Sequence, residues 1–388
     1  MRPGAVSSAA ADVAATDEAR ADRERSTALI FAALALPGIL PANACAQAAP
    51  DDGVVALRYH DYRDWQPGAA RMSVRSPSLY ARVPLGEKMT VETTLIHDTM
   101  SGASPLFHDT LSGASGIGVT DHRAAGDVKL TTYVDGNALA AGVAYSHERD
   151  YVSRAASLEW RHWSDDRNRT YAVGIGAARD RIDSTNNVAT NRRRETYDVL
   201  FGVTQVLNAS AVIESSLTWS QGRGYYSDPY KFLDARPERR RILSSLTRYN
   251  QYLSQMDATV RIAYRYLDDS FGDRSHMVEA SWVQALPAGF TLTPTLRYYT
   301  QGAATFYRDP PFPQGFVDTE FHTADTRLSA FGAVTAGLRI ARDLPGAVTV
   351  GVAFNFYRQK SAWRAGGGSP GLEDFSARWI EAGIEKRF

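Results

Sequence analysis

The stretch Ala347-Val348-Thr349-Val350-Gly351-Val352-Ala353-Phe354-Asn355-Phe356-Tyr357-Arg358 decides the fold. Val348, Val350, Val352, Phe354 and Phe356 fall on one face, and Ala347, Thr349, Gly351, Ala353 and Asn355 on the other. Successive side chains of an extended chain point to opposite sides, so this spacing predicts a strand with one apolar and one polar face. The alternation recurs along the chain. Phe290, Leu292, Leu296 and Tyr298 oppose Thr291, Thr293, Thr295 and Arg297. Ala258, Val260, Ile262, Tyr264 and Tyr266 oppose Thr259, Arg261 and Arg265. Tyr197, Val199, Phe201 and Val203 oppose Asp198, Gly202 and Thr204.

Sixteen strands are expected, near 54–62, 70–83, 88–98, 126–135, 138–148, 154–163, 169–180, 193–206, 210–221, 240–250, 256–267, 275–285, 289–300, 327–341, 347–358 and 375–388. Alternation is poor in 54–62, 70–83 and 240–250. The last of these is still required, because without it the tight turn Leu286–Gly289 would fall on the side of the long loops. Tight connections such as Asp135-Gly136-Asn137 and Asp343–Gly346 alternate with long ones at 99–125, 181–192, 222–239, 301–326 and 359–374. Such asymmetry excludes a soluble sandwich. It predicts an all-β chain: a transmembrane up-and-down antiparallel β-barrel of about sixteen strands, with short periplasmic turns and long extracellular loops.

Composition agrees. Lys+Arg and Asp+Glu each number 43, so the net charge is zero and no basic surface for nucleic acid is implied. No run approaches the ~18 apolar residues of a membrane helix. Arg20, Arg23 and Arg25 precede an apolar run from Ala28 to Leu40, followed by Ala44 and Ala46 in a small-residue context. Residues 1–46 are therefore expected to be a secretory signal peptide cleaved after Ala46, and 47–388 the barrel domain. Cys45, the only cysteine, would make a lipobox, but Asn43 suits one poorly. The destination expected is the outer membrane of a Gram-negative cell.

The chain ends Trp379-Ile380-Glu381-Ala382-Gly383-Ile384-Glu385-Lys386-Arg387-Phe388. Ile380, Ala382, Ile384 and Phe388 share one face, like the assembly signal read on a last strand by the barrel-assembly machinery. Several further strings carry a resemblance. They are Ser101–Pro105, Ser146–Ser153, Asp180-Arg181-Ile182, Gly224–Lys231, Arg297-Tyr298-Tyr299 and Phe306-Tyr307. Together they resemble the family catalogued as domain of unknown function 3570, over most of 52–388. The resemblance implies an outer-membrane barrel without an established activity. It also implies genes lying beside those of a small lipoprotein, a thioredoxin-like protein and a flavin transferase, and so a lipoprotein or periplasmic redox partner besides outer-membrane lipid.

Two sets of residues invite a chemical reading. His97-Asp98-Thr99-Met100-Ser101-Gly102-Ala103-Ser104 recurs as His108-Asp109-Thr110-Leu111-Ser112-Gly113-Ala114-Ser115, with Asp121-His122 close behind. His97, Asp98, His108, Asp109, Asp121 and His122 could hold a divalent metal. A local duplication making two small-residue turns is the preferred reading, and no other cofactor is expected. The second set faces inward: Arg261, Arg265, Glu279, Arg297, Arg327 and Arg339. They read either as the charged wall of an anion-favouring channel or as ion pairs filling a plugged barrel. No H-E-x-x-H, P-loop or nucleophile elbow is present, and no third partner joins His147/Glu148 or His276/Glu279, so catalysis is not expected. The function expected is a porin-like conduit for a polar solute; the alternatives are a non-conducting scaffold and a barrel enzyme.

Overall fold

A computed structural model describes residues 48–102, 119–231, 234–309 and 320–388. The expected signal segment 1–46 lies outside the described residues. Sixteen strands follow one another. They are β1 (Val54–Gln66), β2 (Ala69–Pro84), β3 (Met89–Gly102), β4 (Val119–Val134), β5 (Asn137–His147), β6 (Tyr151–Trp163), β7 (Arg169–Ile182) and β8 (Arg192–Asn208). Then come β9 (Ala211–Gly224), β10 (Arg239–Leu253), β11 (Ala258–Asp269), β12 (Arg274–Leu286), β13 (Phe290–Gln301), β14 (Phe331–Leu344), β15 (Val348–Lys360) and β16 (Phe375–Arg387). Each pairs antiparallel with its sequence neighbours, and β1 pairs with β16, so the ring closes and leaves no free edge.

The poorly alternating segments 54–62, 70–83 and 240–250 are strands, as β1, β2 and β10. Strands run from 11 residues in β5 to 17 in β8. About 9–11 tilted residues cross a hydrocarbon core, so the longer strands project beyond it. The outer face is apolar. Leu57, Leu95, Leu139, Val143, Leu158, Ile175, Phe201, Leu296 and Val352 are each more than half exposed. Register puts such residues side by side, as Leu57 beside Leu79, Leu158 beside Ile175 and Ile340 beside Val352. Water would not tolerate this belt, whereas acyl chains cover it at no loss.

One end of the ring carries only tight turns. Asp135 (φ 40°) and Gly136 (φ 76°) form a two-residue hairpin turn whose left-handed backbone matches the twist of the flanking strands. Gly53, just ahead of β1, meets Phe388 at this end. Gly53 N donates to Phe388 O at 2.8 Å and Phe388 N to Gly53 O at 3.0 Å. A side chain at position 53 would lie 2.6 Å from the Phe388 ring. The other end carries the connections 148–150, 183–191, 225–238, 270–273, 302–330 and 361–374, of which 232–233 and 310–319 lie outside the described residues, as does all of 103–118. The buried apolar clusters sit there, around Phe271, Phe306 and Leu328 and around Tyr151 and Ile182.

Candidate functional site

Alternation fixes which side chains line the lumen. Apolar residues of β11 and β12 such as Ile262, Tyr264 and Val278 face out, so Arg261, Arg265 and Glu279 face in. The register continues this inward row to Arg297 on β13 and Arg339 on β14, and in the other direction to Arg248 on β10. Arg58 joins it from β1. Two of these arginines are paired: Arg297 Nε to Glu279 Oε2 at 2.7 Å and Arg248 Nη1 to Glu214 Oε1 at 2.9 Å. Arg261, Arg265 and Arg339 have no carboxylate within 4 Å among the described residues. Arg261 and Arg339 are exposed to the lumen.

The opposite wall differs. Inward positions of β5 are Ala138, Ala140, Gly142 and Ala144, and those of β7 include Ala172, Gly174 and Gly176. Its carboxylates are Glu92, held by Lys129 at 3.1 Å and by the Tyr80 hydroxyl at 3.1 Å, and Glu159, held by Arg161 at 2.5 Å. Asp127 and Asp198 face in with no cation within 4 Å among the described residues. Unpaired positive charge therefore gathers on β10–β14 and β1, whereas on β3–β8 inward carboxylates and cations alternate and mostly pair.

The long-loop end is built around a buried ion cluster. The Asp325 side chain is 0% exposed, accepts from Arg236 Nη2 at 2.7 Å and Arg327 Nη2 at 2.5 Å, and forms an ion pair with Lys231 Nζ 2.8 Å away. Asp234 takes Arg236 through Nε at 2.9 Å and Nη2 at 2.9 Å, the Thr323 hydroxyl at 2.6 Å and the Asp228 amide at 2.9 Å. The 225–238 and 302–330 loops are thereby clamped together. Tyr230 extends the layer: its hydroxyl donates to Asp150 Oδ2 at 2.5 Å and accepts from Thr185 N at 2.9 Å. Burial first, then the Asp150 charge, raises the Tyr230 phenol well above its usual range. Tyr226 turns back into the barrel, occupying the space left open by Gly222 beside Thr196. Its ring stacks under Arg194 at 5.2 Å and meets Phe271 edge-on. Nearby Asp273 is pushed up to about 7 by burial and by the charge of Asp269.

The expected residues fall as follows. Arg261, Arg265, Glu279, Arg297 and Arg339 share the inner wall. Arg327 does not: β14 starts at Phe331, four residues later than the expected strand, and Arg327 lies on a 3-10 turn, Thr326–Leu328, capped by Asp325. Of the residues named for a metal, His108 and Asp109 lie outside the described residues, as does the side chain of Asp121. His97 and Asp98 lie on β3, within the expected strand 88–98, but the β3–β4 hairpin runs further than expected, so His122 is a strand residue rather than a loop residue. His97 and His122 stack on the outer face with ring centroids 6.0 Å apart. Asp98 faces inward and accepts from Arg123 Nε at 2.6 Å. The two histidines and Asp98 thus lie on opposite faces of the sheet, and among the described residues no three His, Cys, Asp or Glu side chains gather to hold a metal ion. Ile380, Ile384 and Phe388 face outward and are 45%, 46% and 62% exposed, with Ala382 beside Val352 on the same face. Arg58, Asp127 and the Asp325 cluster were not singled out by the sequence. Alternation would have yielded the first two, whereas no local pattern marks a cluster assembled from separate loops.

A closed antiparallel ring with an apolar exterior and a charged interior defines a transmembrane up-and-down β-barrel. The sequence matches the family described as a protein of unknown function, DUF3570, over residues 109–192 and 184–374, and the protein belongs to that family. No functionally curated protein matches it. Among solved structures, the siderophore receptor PirA of Pseudomonas aeruginosa is 11% identical, with a TM-score of 0.45 over 88% of this chain and 81% of that one. OccK9 (OpdG) of P. aeruginosa is 10% identical, with a TM-score of 0.41 over 87% and 98%. CdiB of Acinetobacter baumannii is 10% identical, with a TM-score of 0.48 over 85% and 60%. The chain spans about half the length of the siderophore receptor PirA of A. baumannii, covering 53% of it.

Proposed function

We propose that the protein is a non-enzymatic outer-membrane conduit for a polar solute, with a preference for anions, and with the loop layer restricting its outer mouth. The observation that carries this reading is the group Arg261, Arg265 and Arg339, which face the lumen without carboxylate partners among the described residues. In a packed plug an unpaired guanidinium would be stripped of water at a cost of several kcal/mol. In a wet lumen it stays hydrated and raises the local concentration of anions.

Reversal potentials across a planar bilayer test the reading. The wild type should favour anions, and Arg261→Glu with Arg339→Glu should move the preference toward cations. An electrically silent wild type would reject the conduit. Silence together with a periplasmic redox protein or lipoprotein that co-purifies stably would support a scaffold instead.

The location has its own test. A tag inserted between Asn187 and Val188, where Val188 is 63% exposed, should be labelled on intact cells. A tag at the Asp135-Gly136 turn should be labelled only after the outer membrane is permeabilised. Labelling of the second tag on intact cells would invert the topology.

A further inference from the structure

The outward face of β6–β10 at the long-loop end carries a charge pattern that the fold balances only in part, Glu195 on β8 being the one acid directly opposite Arg179 and Arg223. Arg154 on β6 lies directly opposite Arg179 on β7, Arg181 opposite Arg193 on β8, and Arg223 on β9 opposite Arg239 on β10. All six are exposed. Residues directly opposite across an antiparallel pair have Cβ atoms ~4.5–5.5 Å apart, so like charges there repel. Two of the six find acids, Arg179 with Glu195 at 3.3 Å and Arg181 with Asp183 at 2.6 Å. Arg154, Arg193, Arg223 and Arg239 have no carboxylate within 4 Å among the described residues. Outward cations on other parts of this rim are mostly paired, although exposed Arg378 on β16, directly opposite Arg63, has no carboxylate within 4 Å among the described residues. Arg63 and Arg75 share Asp61 at 3.2 and 3.7 Å, Lys360 meets Asp374 at 2.6 Å and Arg274 meets Asp268 at 2.8 Å.

The same face turns apolar below the arginines. Ile175 on β7, Tyr197 and Phe201 on β8, Leu217 and Trp219 on β9, and Leu243 on β10 are all exposed there. At ~3.4 Å per residue, Trp219 lies roughly 14 Å below Arg223 and Leu243 a similar distance below Arg239. A row of cations above a band of aromatic and aliphatic side chains complements an amphiphile with several negative charges in its head and acyl chains beneath.

We propose that this arc binds a phosphorylated glycolipid of the surrounding leaflet, with the chemistry of lipid A, whose phosphates bridge the opposed arginines. The proposal rests on the outer-membrane location inferred above and not on conduction. Phosphate oxygens accept forked guanidinium bonds from both strands of a pair and turn the repulsion within it into a shared contact. Free phosphate offers the same head but nothing for the apolar band, which is why a lipid is the occupant.

The test uses the purified full barrel in phosphatidylcholine nanodiscs. Three probes are compared by native mass spectrometry: bisphosphorylated lipid A, its dephosphorylated form and inorganic pyrophosphate. The wild type should retain bisphosphorylated lipid A and release the dephosphorylated form. Arg193→Ser, Arg223→Ser and Arg239→Ser together should weaken retention about a hundredfold, at about fivefold for each arginine near an anionic surface. Equal retention of the dephosphorylated form, full displacement by pyrophosphate, or undiminished binding by the triple variant would each overturn the proposal. If the triple variant does not insert as a heat-modifiable barrel, Arg223→Ser alone should still show its fivefold loss. Conductance and ion preference should not move in either variant, because these side chains face lipid. Loss of lipid binding with intact conductance therefore separates this proposal from the conduit reading.

Discussion

Replacing Asp325 with alanine is expected to loosen the loop layer and, on the conduit reading proposed above, to raise the conductance of the barrel. The carboxylate stands among Lys231, Arg236 and Arg327 with its side chain fully buried. Its removal leaves cations facing one another in a poorly hydrated layer, with Arg236 still held by Asp234 but Lys231 deprived of this contact. Breaking a buried ion pair from one side typically costs about 3–5 kcal/mol. The strand ladder is untouched, so the loss should concentrate in the loops. Limited proteolysis should begin to cut within 225–238, while the heat-modifiable band persists. Asp325→Asn, which keeps the shape but not the charge, should behave similarly. Unchanged cleavage and unchanged conductance in both variants would mean that the cluster does not hold the layer closed.

The second large effect is expected at Gly224, the last residue of β9. Its φ is +130°, a conformation that side-chain-bearing residues rarely adopt. A Cβ there would collide with the Arg193 carbonyl oxygen and come within 2.7 Å of Arg194 Cα. That carbonyl accepts the Tyr225 amide at 2.9 Å, and Arg194 carries the stack over Tyr226. Gly224→Ala therefore combines backbone strain with a clash against main chain that cannot rotate away, together about 3 kcal/mol or more. Gly68 is the control. Its φ is +77°, but a Cβ would meet nothing within 4 Å, so Gly68→Ala should cost only about 1 kcal/mol. Thermal melting of the two variants side by side checks this. Equal losses would show that conformation alone, and not the approach of Arg193, sets the requirement for glycine.

The fold was legible because a membrane barrel writes its pattern twice. Lipid demands apolar residues at every second position, and closed pairing demands tight turns at one end, so Val348–Phe356 and Asp135-Gly136 declare themselves without any partner in view. Arg261, Arg265, Glu279, Arg297 and Arg339 followed from the same parity. Parity says nothing once the chain leaves a strand. Arg327 looked like another inward position, yet two oxygens of Asp325 take it into the loop layer. His97 and Asp98 looked like one ligand set, but they are adjacent strand residues and must face opposite ways. The Asp325 cluster joins residues about 90 positions apart, and loop-to-loop contacts of that kind leave no periodic trace.

The closure between β1 and β16 has a consequence for how the molecule forms. Every other seam in the ring joins consecutive strands and can zip as a hairpin soon after both are present. The β1–β16 seam, in which Val54 meets Arg387, joins segments separated by nearly the whole barrel sequence. Non-local pairings of this kind are the slow step of β-topologies, because chain entropy is lost long before contacts reward it. Until that seam forms, two bare edges remain, each a template for pairing with another chain. The hydrogen bonds between Gly53 and Phe388 are the final stitch of that seam, so the last residue of the chain acts as a latch on the first strand.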